Sequence, residues 1–194
     1  MNERKPSIAL IGMRGAGKTV VGRELAGLLH ADFLDTDEEI ALRAGQSIAG
    51  IFRKEGKIRF RHRERQVITE VCAAPPRVIS VGGGAVLDEE NVKALQRVSI
   101  IVWLTAPVEV LYERIVSDVH SPITRPRLTL PADESSPDEL KELRQLLTER
   151  EARYSSVADL VLDTVSSSPR QIAERIVAQL RPTPFGKTPD EDGR

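Results

Sequence analysis

Short apolar runs alternate with longer segments of helical periodicity along most of the chain. The runs are rich in Val, Ile and Leu and show no polar alternation, which is typical of strands buried on both faces of a parallel sheet. Regular alternation of strand and helix predicts right-handed βαβ units. We therefore expect an α/β fold with α/β/α layers around a five-stranded parallel sheet. The predicted strands are 7–11, 32–34, 78–81, 99–104 and 160–162, and the predicted helices are 18–29, 37–44, 47–54, 57–73, 88–95, 107–117, 138–155 and 169–180.

A glycine-rich loop separates the first predicted strand from the first predicted helix. Residues 12–19 read Gly-Met-Arg-Gly-Ala-Gly-Lys-Thr and fit the pattern G-x-x-x-x-G-K-[ST]. In this pattern, backbone N–H groups cradle phosphates, the lysine reaches the terminal phosphates and the hydroxyl binds Mg²⁺. The alternative is an ordinary glycine turn before a helix, and the strand–loop–helix context argues against it. We predict a nucleoside triphosphate site formed by Gly15, Ala16, Gly17, Lys18, Thr19 and Val20.

Composition and charge exclude several classes of function. The 194 residues carry a formal net charge of −1, which indicates neither a nucleic acid nor an anionic membrane as partner. Cys72 is the single cysteine, so no internal disulfide can form, and one cysteine with three histidines makes a poor metal site. The first apolar run is too short for a membrane span or a secretion signal. We expect a cytoplasmic monomer with one domain at 1–181 and a polar, disordered tail at 182–194.

One long segment breaks the alternation of strands and helices. Residues 118–137 follow the helix after the fourth strand and contain four prolines and two arginines, Arg125 and Arg127. A long loop inside a compact domain is usually functional or disordered. We interpret this segment as a mobile lid that closes over the phosphates and carries Arg125.

Candidate acceptor-binding residues follow the second and third predicted strands, where sites in open α/β sheets lie. Asp35 and Asp37 follow the second strand, and the glycines at 82–84 follow the third. Taken singly, the aspartates could cap a helix, the glycines could form a plain turn, and Arg61 could lie on a solvated helix face. Arg150, between two glutamates, could form a surface ion pair. Their occurrence together in one chain favours a binding site.

In combination, these motifs resemble those of the shikimate kinase family, and the resemblance covers about residues 7–181. The glycine-rich loop alone is shared by many nucleotide enzymes, whereas the other motifs in this order are more specific. The matching residues are the loop at 12–19, Asp35-Thr36-Asp37, Phe60-Arg61 with Glu64, Ser80 with Gly82-Gly83-Gly84-Ala85, Arg125-Pro126, and Arg150 with Tyr154.

The resemblance implies a P-loop kinase that transfers phosphate from ATP to the 3-hydroxyl of shikimate, on the route to chorismate and the aromatic amino acids. Shikimate is a cyclic polyol with one carboxylate, which Arg61 and Arg150 would clamp with their guanidinium groups. Asp37, as a catalytic residue, would orient or deprotonate the attacking hydroxyl. Glu64, one turn after Arg61, would hold that arginine in place. The acceptor pocket would be lined by the backbone of Gly82, Gly83 and Gly84.

The resemblance also implies how the nucleotide and its metal ion are held. Mg²⁺ would bind Thr19 directly and, through water, Asp35 and more weakly Ser80. Lys18 and Arg125 would neutralise charge on the transferring phosphate, which makes them catalytic residues. The residues that would flank adenine are Arg114 and Pro169.

The chain departs from the family pattern near the lid and the acceptor residues. It has Gly56-Lys57 where the family usually has Gly-Glu, Arg127-Leu128 where it has Leu-Leu, and Ala152-Arg153 where it has Pro-Leu. The stretch from Arg114 to Arg150 is also several residues longer than usual. Alternative interpretations stay open: a kinase for another small hydroxy acid of gluconate type, a nucleoside monophosphate kinase, and a nucleotide- or metabolite-sensing module without catalysis.

Overall fold

The computed structural model describes residues 6–74, 77–117 and 139–180. The predicted α/β architecture with five parallel strands is confirmed. The strands are β1 (Ser7–Ile11), β2 (Asp32–Asp35), β3 (Arg77–Ser80), β4 (Ser99–Thr105) and β5 (Leu160–Asp163). The helices are α1 (Lys18–Leu29), α2 (Thr36–Ala44), α3 (Ile48–Ala73), α4 (Glu89–Val98), α5 (Val108–Ser117), α6 (Glu139–Val157) and α7 (Pro169–Leu180), and a short 3-10 helix at Ala85–Leu87 follows β3.

The strand order β2-β3-β1-β4-β5 places β1 at the centre of the sheet, where every one of its residues is buried. From β1 the chain crosses to β2 on one side, whereas from β3 it crosses to β4 on the other side. Neighbouring strands whose connections leave in opposite directions create a crevice beyond their carboxyl ends, and ligands bind there in open α/β sheets. The crevice between β1 and β3 is therefore the expected place for a site.

The predicted break between two helices near Gly56 is present as a kink in α3. Two helical segments meet at Gly56, whose backbone is non-helical (φ 79°, ψ 171°). The rings of Phe52 and Phe60 pack across the kink with centroids 4.6 Å apart. Arg63 also donates to Glu55 across it at 2.9 Å. These two contacts join the halves of α3, so the direction of its second half is set by the glycine and by packing.

The remaining helix and strand ends lie within three residues of their predicted positions. The sequence does not predict the 3-10 helix at Ala85–Leu87, because three residues are too few to show a periodicity.

The predicted lid at 118–137, with Arg125, and the predicted tail at 182–194 lie outside the described residues. Within the described part of the chain, no helix is long and apolar enough to cross a membrane.

Helix α1 packs onto the sheet through Gly22. A Cβ at this position would overlap the Phe33 ring and lie 3.3 Å from Leu10 Cδ1. Gly27, further along the same helix, is exposed, and a Cβ there would meet no described heavy atom within 4 Å. Alanine substitutions at the two positions therefore separate the effect of helix propensity, at Gly27, from the effect of packing, at Gly22.

We expect Gly27→Ala to raise the free energy of unfolding by about 0.5–1 kcal/mol, because alanine restricts the unfolded chain and favours the helix. Gly22→Ala should instead lower it by about 1–3 kcal/mol, because the new methyl group must displace the Phe33 ring. Urea unfolding followed by circular dichroism measures both values. Equal effects of the two substitutions would contradict this packing of α1 on β2.

Candidate active site

The glycine-rich loop follows β1 and surrounds the ammonium group of Lys18. The lysine Nζ donates to the Gly12 carbonyl at 2.9 Å and to the Met13 carbonyl at 3.0 Å. Gly15 and Gly17 have φ of 83° and 85°, a left-handed conformation that would strain any residue with a side chain. Lys18 is only 8 % exposed. The loop thus holds a positive charge at the N-terminus of α1, where anions bind favourably.

Asp35 ends β2 and uses its two carboxylate oxygens differently. Oδ1 accepts from the backbone N–H of Asp37 at 3.0 Å and of Glu38 at 3.3 Å, which caps the N-terminus of α2. Oδ2 accepts from the Thr19 hydroxyl at 2.7 Å. Ser80, which is buried, is the register partner of Asp35 on β3. Asp35 is therefore a helix cap whose second oxygen contacts Thr19, and Ser80, the third candidate metal ligand, is its neighbour across the strand pair.

The glycines at 82–84 follow β3 and let the backbone approach charged side chains closely. The Gly82 N–H donates to the Thr36 hydroxyl at 3.0 Å. A Cβ at Gly82 would lie 2.7 Å from Asp37 Oδ1 and 3.1 Å from Glu64 Oε1. Because both carboxylates belong to buried residues, a larger residue at this position would have to displace them. The absence of a side chain is thus required for this arrangement, beyond any role in a turn.

Arg61 lies on α3 and directs its guanidinium group at the same glycines. A Cβ at Gly84 would overlap that guanidinium group. Arg61 Nη1 donates to Glu64 Oε2 at 2.5 Å, which is the contact expected from their i,i+3 spacing. The Arg61 side chain is 26 % exposed. It is therefore partly buried against the glycine loop, and the interpretation as a fully solvated helix face is wrong.

Glu64 is a buried carboxylate with an unusual proton affinity. Its side chain is 1 % exposed. Burial raises the pKa of Glu64 to about 7, and the negative charges of Asp37 and Asp88 act in the same direction. The Arg61 ion pair opposes this increase in pKa without cancelling it. The site therefore holds the carboxylates of Asp37 and Glu64 beside the backbone of Gly82. Burying the charge of these groups costs free energy.

Arg150 approaches the glycine loop from α6. A Cβ at Gly83 would lie 3.8 Å from Arg150 Nη1 and 3.3 Å from the Gly12 carbonyl oxygen. Arg150 Nη1 also lies 4.0 Å from Met13 Sδ. These contacts bring the arginine to the place where the glycine-rich loop at 12–19, called the P-loop below, meets the glycines at 82–84, called the acceptor loop below. They favour the binding-site interpretation of Arg150 over a surface ion pair.

Arg114, predicted to lie beside adenine, connects the P-loop to the segment after β5. Its guanidinium group donates to the Gly15 carbonyl at 3.3 Å, to the Thr164 hydroxyl at 2.9 Å and to the Thr164 carbonyl at 2.7 Å. Pro169, the second residue predicted to flank adenine, begins α7 shortly after Thr164. Val20 lies in the first turn of α1 and is exposed.

Met13, Thr36 and Tyr154 belong to the motifs that carry the family resemblance, but their roles in the site were not predicted from the sequence. The Tyr154 hydroxyl donates to the Gly83 carbonyl at 2.5 Å. Tyr154 lies four residues after Arg150 and so shares its face of α6, which is the signal that could have identified it. Met13 and Thr36 leave no such signal, because their contacts reach residues distant in sequence.

The glycine-rich loop thus meets a cluster of two arginines and two buried carboxylates at the carboxyl ends of β1 and β3. The loop suits the phosphates of a nucleotide. The cluster suits a small acceptor that carries a carboxylate and hydroxyl groups. Fold and site together define the class of P-loop kinases that phosphorylate small molecules.

Comparison with known proteins identifies the family within this class. A sequence model of the shikimate kinase family matches residues 14–181. The shikimate kinase of Hahella chejuensis is 39 % identical over 177 residues, which are 91 % of this chain and 87 % of that protein. The shikimate kinase of Halorhodospira halophila is 40 % identical over 182 residues, which are 93 % of this chain and 97 % of that protein. The chain belongs to the shikimate kinase family.

Solved structures agree with this assignment. A shikimate kinase from Acinetobacter baumannii, in complex with shikimate, aligns with a TM-score of 0.83 and 37 % identity, covering 92 % of this chain and 94 % of that chain. The shikimate kinase of Aquifex aeolicus aligns with a TM-score of 0.71 and 32 % identity, covering 90 % of this chain and 95 % of that chain.

The variant Glu64→Gln tests the cost of burying the Glu64 carboxylate. The folded protein keeps a proton that the unfolded chain releases between about pH 4.5 and pH 7, because the folded-state pKa is raised. Increasing pH in this window should therefore lower the stability of the wild type relative to the variant, which has no such proton to lose. Urea unfolding of both proteins at pH 5 and pH 8 measures the difference. A difference that is independent of pH, or that moves in favour of the wild type, would contradict the raised pKa.

Proposed function

We propose that the protein transfers the γ-phosphoryl group of ATP to the 3-hydroxyl of shikimate, giving ADP and 3-phosphoshikimate on the route to chorismate and the aromatic amino acids. One observation carries this proposal. Arg61 and Arg150 flank a single glycine loop, and that loop itself contacts the P-loop, with a Cβ at Gly83 only 3.3 Å from the Gly12 carbonyl oxygen. An acceptor held by the arginines would therefore lie next to the nucleotide phosphates. The shikimate-bound relative from Acinetobacter baumannii supports the choice of acceptor.

Acceptor recognition relies on charge and on hydrogen bonds. The guanidinium groups of Arg61 and Arg150 offer paired N–H donors to the shikimate carboxylate. Glu64 keeps Arg61 in its orientation through the 2.5 Å hydrogen bond. Asp37 accepts hydrogen bonds from ring hydroxyls and orients or deprotonates the attacking one. The pocket is lined by the backbone of Gly82, Gly83 and Gly84.

Phosphoryl transfer requires positioning and charge neutralisation more than covalent chemistry, because its transition state is loose. Lys18, held at the loop carbonyls, reaches the terminal phosphates when ATP binds. Arg125, which lies outside the described residues, supplies a second positive charge to the transferring group. The remaining nucleotide contacts come from Gly15, Ala16, Gly17, Thr19, Val20, Arg114 and Pro169.

The proposed metal ion is Mg²⁺, and the donor set beside the P-loop fits it. Thr19 and Ser80 offer hydroxyl oxygens and Asp35 offers a carboxylate, and Mg²⁺ prefers such hard ligands. In the described ranges, no group of three or more His, Cys, Asp or Glu side chains could hold a metal ion. This suits an ion that takes its other ligands from phosphate and water. When bound, Mg²⁺ supplies positive charge that neutralises the phosphates.

We further propose that residues 1–181 act as one domain and that the protein works as a monomer in the cytoplasm. A single sheet and one continuous hydrophobic core extend through the described residues. The near-zero net charge of −1 is in keeping with small-molecule substrates and with no requirement for a nucleic acid or a membrane.

An assay of ADP release with a panel of acceptors tests the proposed function. We expect turnover with shikimate to exceed turnover with quinate, gluconate and AMP by at least about 100-fold, because a site built to pair buried polar groups rejects acceptors that leave them unpaired. Turnover with gluconate or AMP but not with shikimate would identify a different kinase. Binding of ATP and shikimate without ADP release would identify a sensing module.

Arg150→Ala separates acceptor binding from nucleotide binding. The KM for shikimate should rise about 10- to 100-fold, because the carboxylate loses a charge-assisted hydrogen-bond partner, while the KM for ATP changes little. Arg144→Ala is a matched control on the same helix, since Arg144 is exposed and pairs with Glu109 at 2.9 Å. That control should leave both KM values unchanged. Equal increases in both KM values of the Arg150 variant would contradict its proposed role.

A further inference from the structure

Tyr154 lies buried between the nucleotide half and the acceptor half of the site. Its hydroxyl donates to the Gly83 carbonyl at 2.5 Å and lies 3.5 Å from Met13 Sδ. Arg150 Nη1 lies 4.0 Å from the same sulfur. Because Met13 belongs to the P-loop and Gly83 to the acceptor loop, one phenol contacts both loops. We refer to Met13, Gly83, Arg150 and Tyr154 as the Tyr154 junction.

Packing alone does not require the hydroxyl group of Tyr154. The ring stacks on Trp103 with centroids 5.7 Å apart, and a phenylalanine ring would make the same contact. A buried hydroxyl costs free energy unless it is hydrogen-bonded, and this one is 0 % exposed. Burial raises the pKa of Tyr154 to about 12, although the positive charges of Arg150 and Arg61 oppose the increase. The hydroxyl therefore keeps its proton and remains a donor at physiological pH.

Met13 connects the Tyr154 junction to the P-loop lysine. Lys18 Nζ donates to the carbonyl groups of Gly12 and Met13. A bound nucleotide attracts the ammonium group toward its terminal phosphates, and this weakens the two hydrogen bonds. Any shift of the Met13 backbone that follows would change the contacts of its side chain with Tyr154 and Arg150, because Met13 is 2 % exposed in a close-packed interior.

We propose that Tyr154 is a positioning residue that couples nucleotide binding to acceptor binding, by holding Gly83 and Arg150 in the geometry that the Met13 side chain sets. This coupling rests on the proposed function, since it takes shikimate as the acceptor. A ligand can change affinity at a second site only through contacts that differ between the two states, and in this proposal those contacts are the ones of the Tyr154 junction. By linkage, ADP strengthens shikimate binding by the factor with which shikimate strengthens ADP binding.

Isothermal titration calorimetry of shikimate binding, with the free protein and with protein saturated with ADP, measures this coupling. The ratio of the two Kd values is the coupling factor, and we expect at least about 5 for the wild type. Tyr154→Phe should reduce it by about two- to fivefold, toward a value of 1, because one hydrogen bond is lost. Tyr112→Phe, at the other tyrosine of the chain and on α5, is the matched control and should leave the factor unchanged.

Met13→Leu removes the sulfur with little change in volume. It should also reduce the coupling factor. The double variant with Tyr154→Phe should reduce it no further than the stronger single variant, because both substitutions break the same connection. A purely structural role of Tyr154 would instead lower the melting temperature and weaken shikimate binding equally with and without ADP, so circular dichroism and thermal unfolding accompany each titration.

The outcomes separate the coupling from the proposed function. A wild-type coupling factor close to 1, or an unchanged factor in Tyr154→Phe, would overturn the role of Tyr154 and leave shikimate as the acceptor. Wild-type protein that binds ADP but no shikimate would overturn the proposed function and the coupling with it. Where Tyr154→Phe does not fold, an unchanged factor in Met13→Leu overturns the role of the Tyr154 junction, and a reduced factor supports it.

Discussion

The parallel pairing of β1 with β3 is the constraint on which the site depends. The register pairs Leu10 with Ser80, and the Val81 N–H donates to the Leu10 carbonyl at 3.0 Å. Gly12 and Gly82 follow this pairing almost at once, so the P-loop and the acceptor loop leave the sheet side by side. Two segments far apart in sequence thereby become neighbours at the crevice where the strand connections diverge. A phosphate donor and a hydroxyl acceptor can meet there because the backbone hydrogen bonds hold the two strands in this register.

Closeness of the two loops has an electrostatic cost, and the residues around them offset it. Asp37 and Glu64 both lie beside Gly82, and burial raises the pKa of Glu64 to about 7. Arg61 compensates part of this negative charge through its hydrogen bond to Glu64. Asp35 meets the same problem by accepting from two backbone N–H groups of α2 and from Thr19. A site that holds charged groups in fixed positions before the ligands arrive spends little free energy on rearrangement during the reaction.

Local signals predicted most of the fold and the candidate residues, and the exceptions have physical causes. The helical pattern on both sides of Gly56 agrees with the structure. The contact between Phe52 and Phe60 that bridges the kink could not be predicted from that pattern. The neighbouring residues also do not explain why Arg153 stands where the family usually has leucine. In the structure Arg153 donates to the Val86 carbonyl at 2.8 Å and to Glu89 at 2.5 Å, so it ties α6 to the segment after the acceptor loop.

By itself, the sequence determined the alternation of strands and helices and the glycine-rich P-loop, because hydrophobic period and glycine spacing are properties of neighbouring positions. Only the tertiary structure decided that Tyr154 reaches Met13 and Gly83, and that Asp35, a helix cap that the sequence already allows, also accepts from Thr19. Such contacts depend on strand order and on how side chains fill the space between elements. Neither property leaves a trace in the residues next to them in the chain.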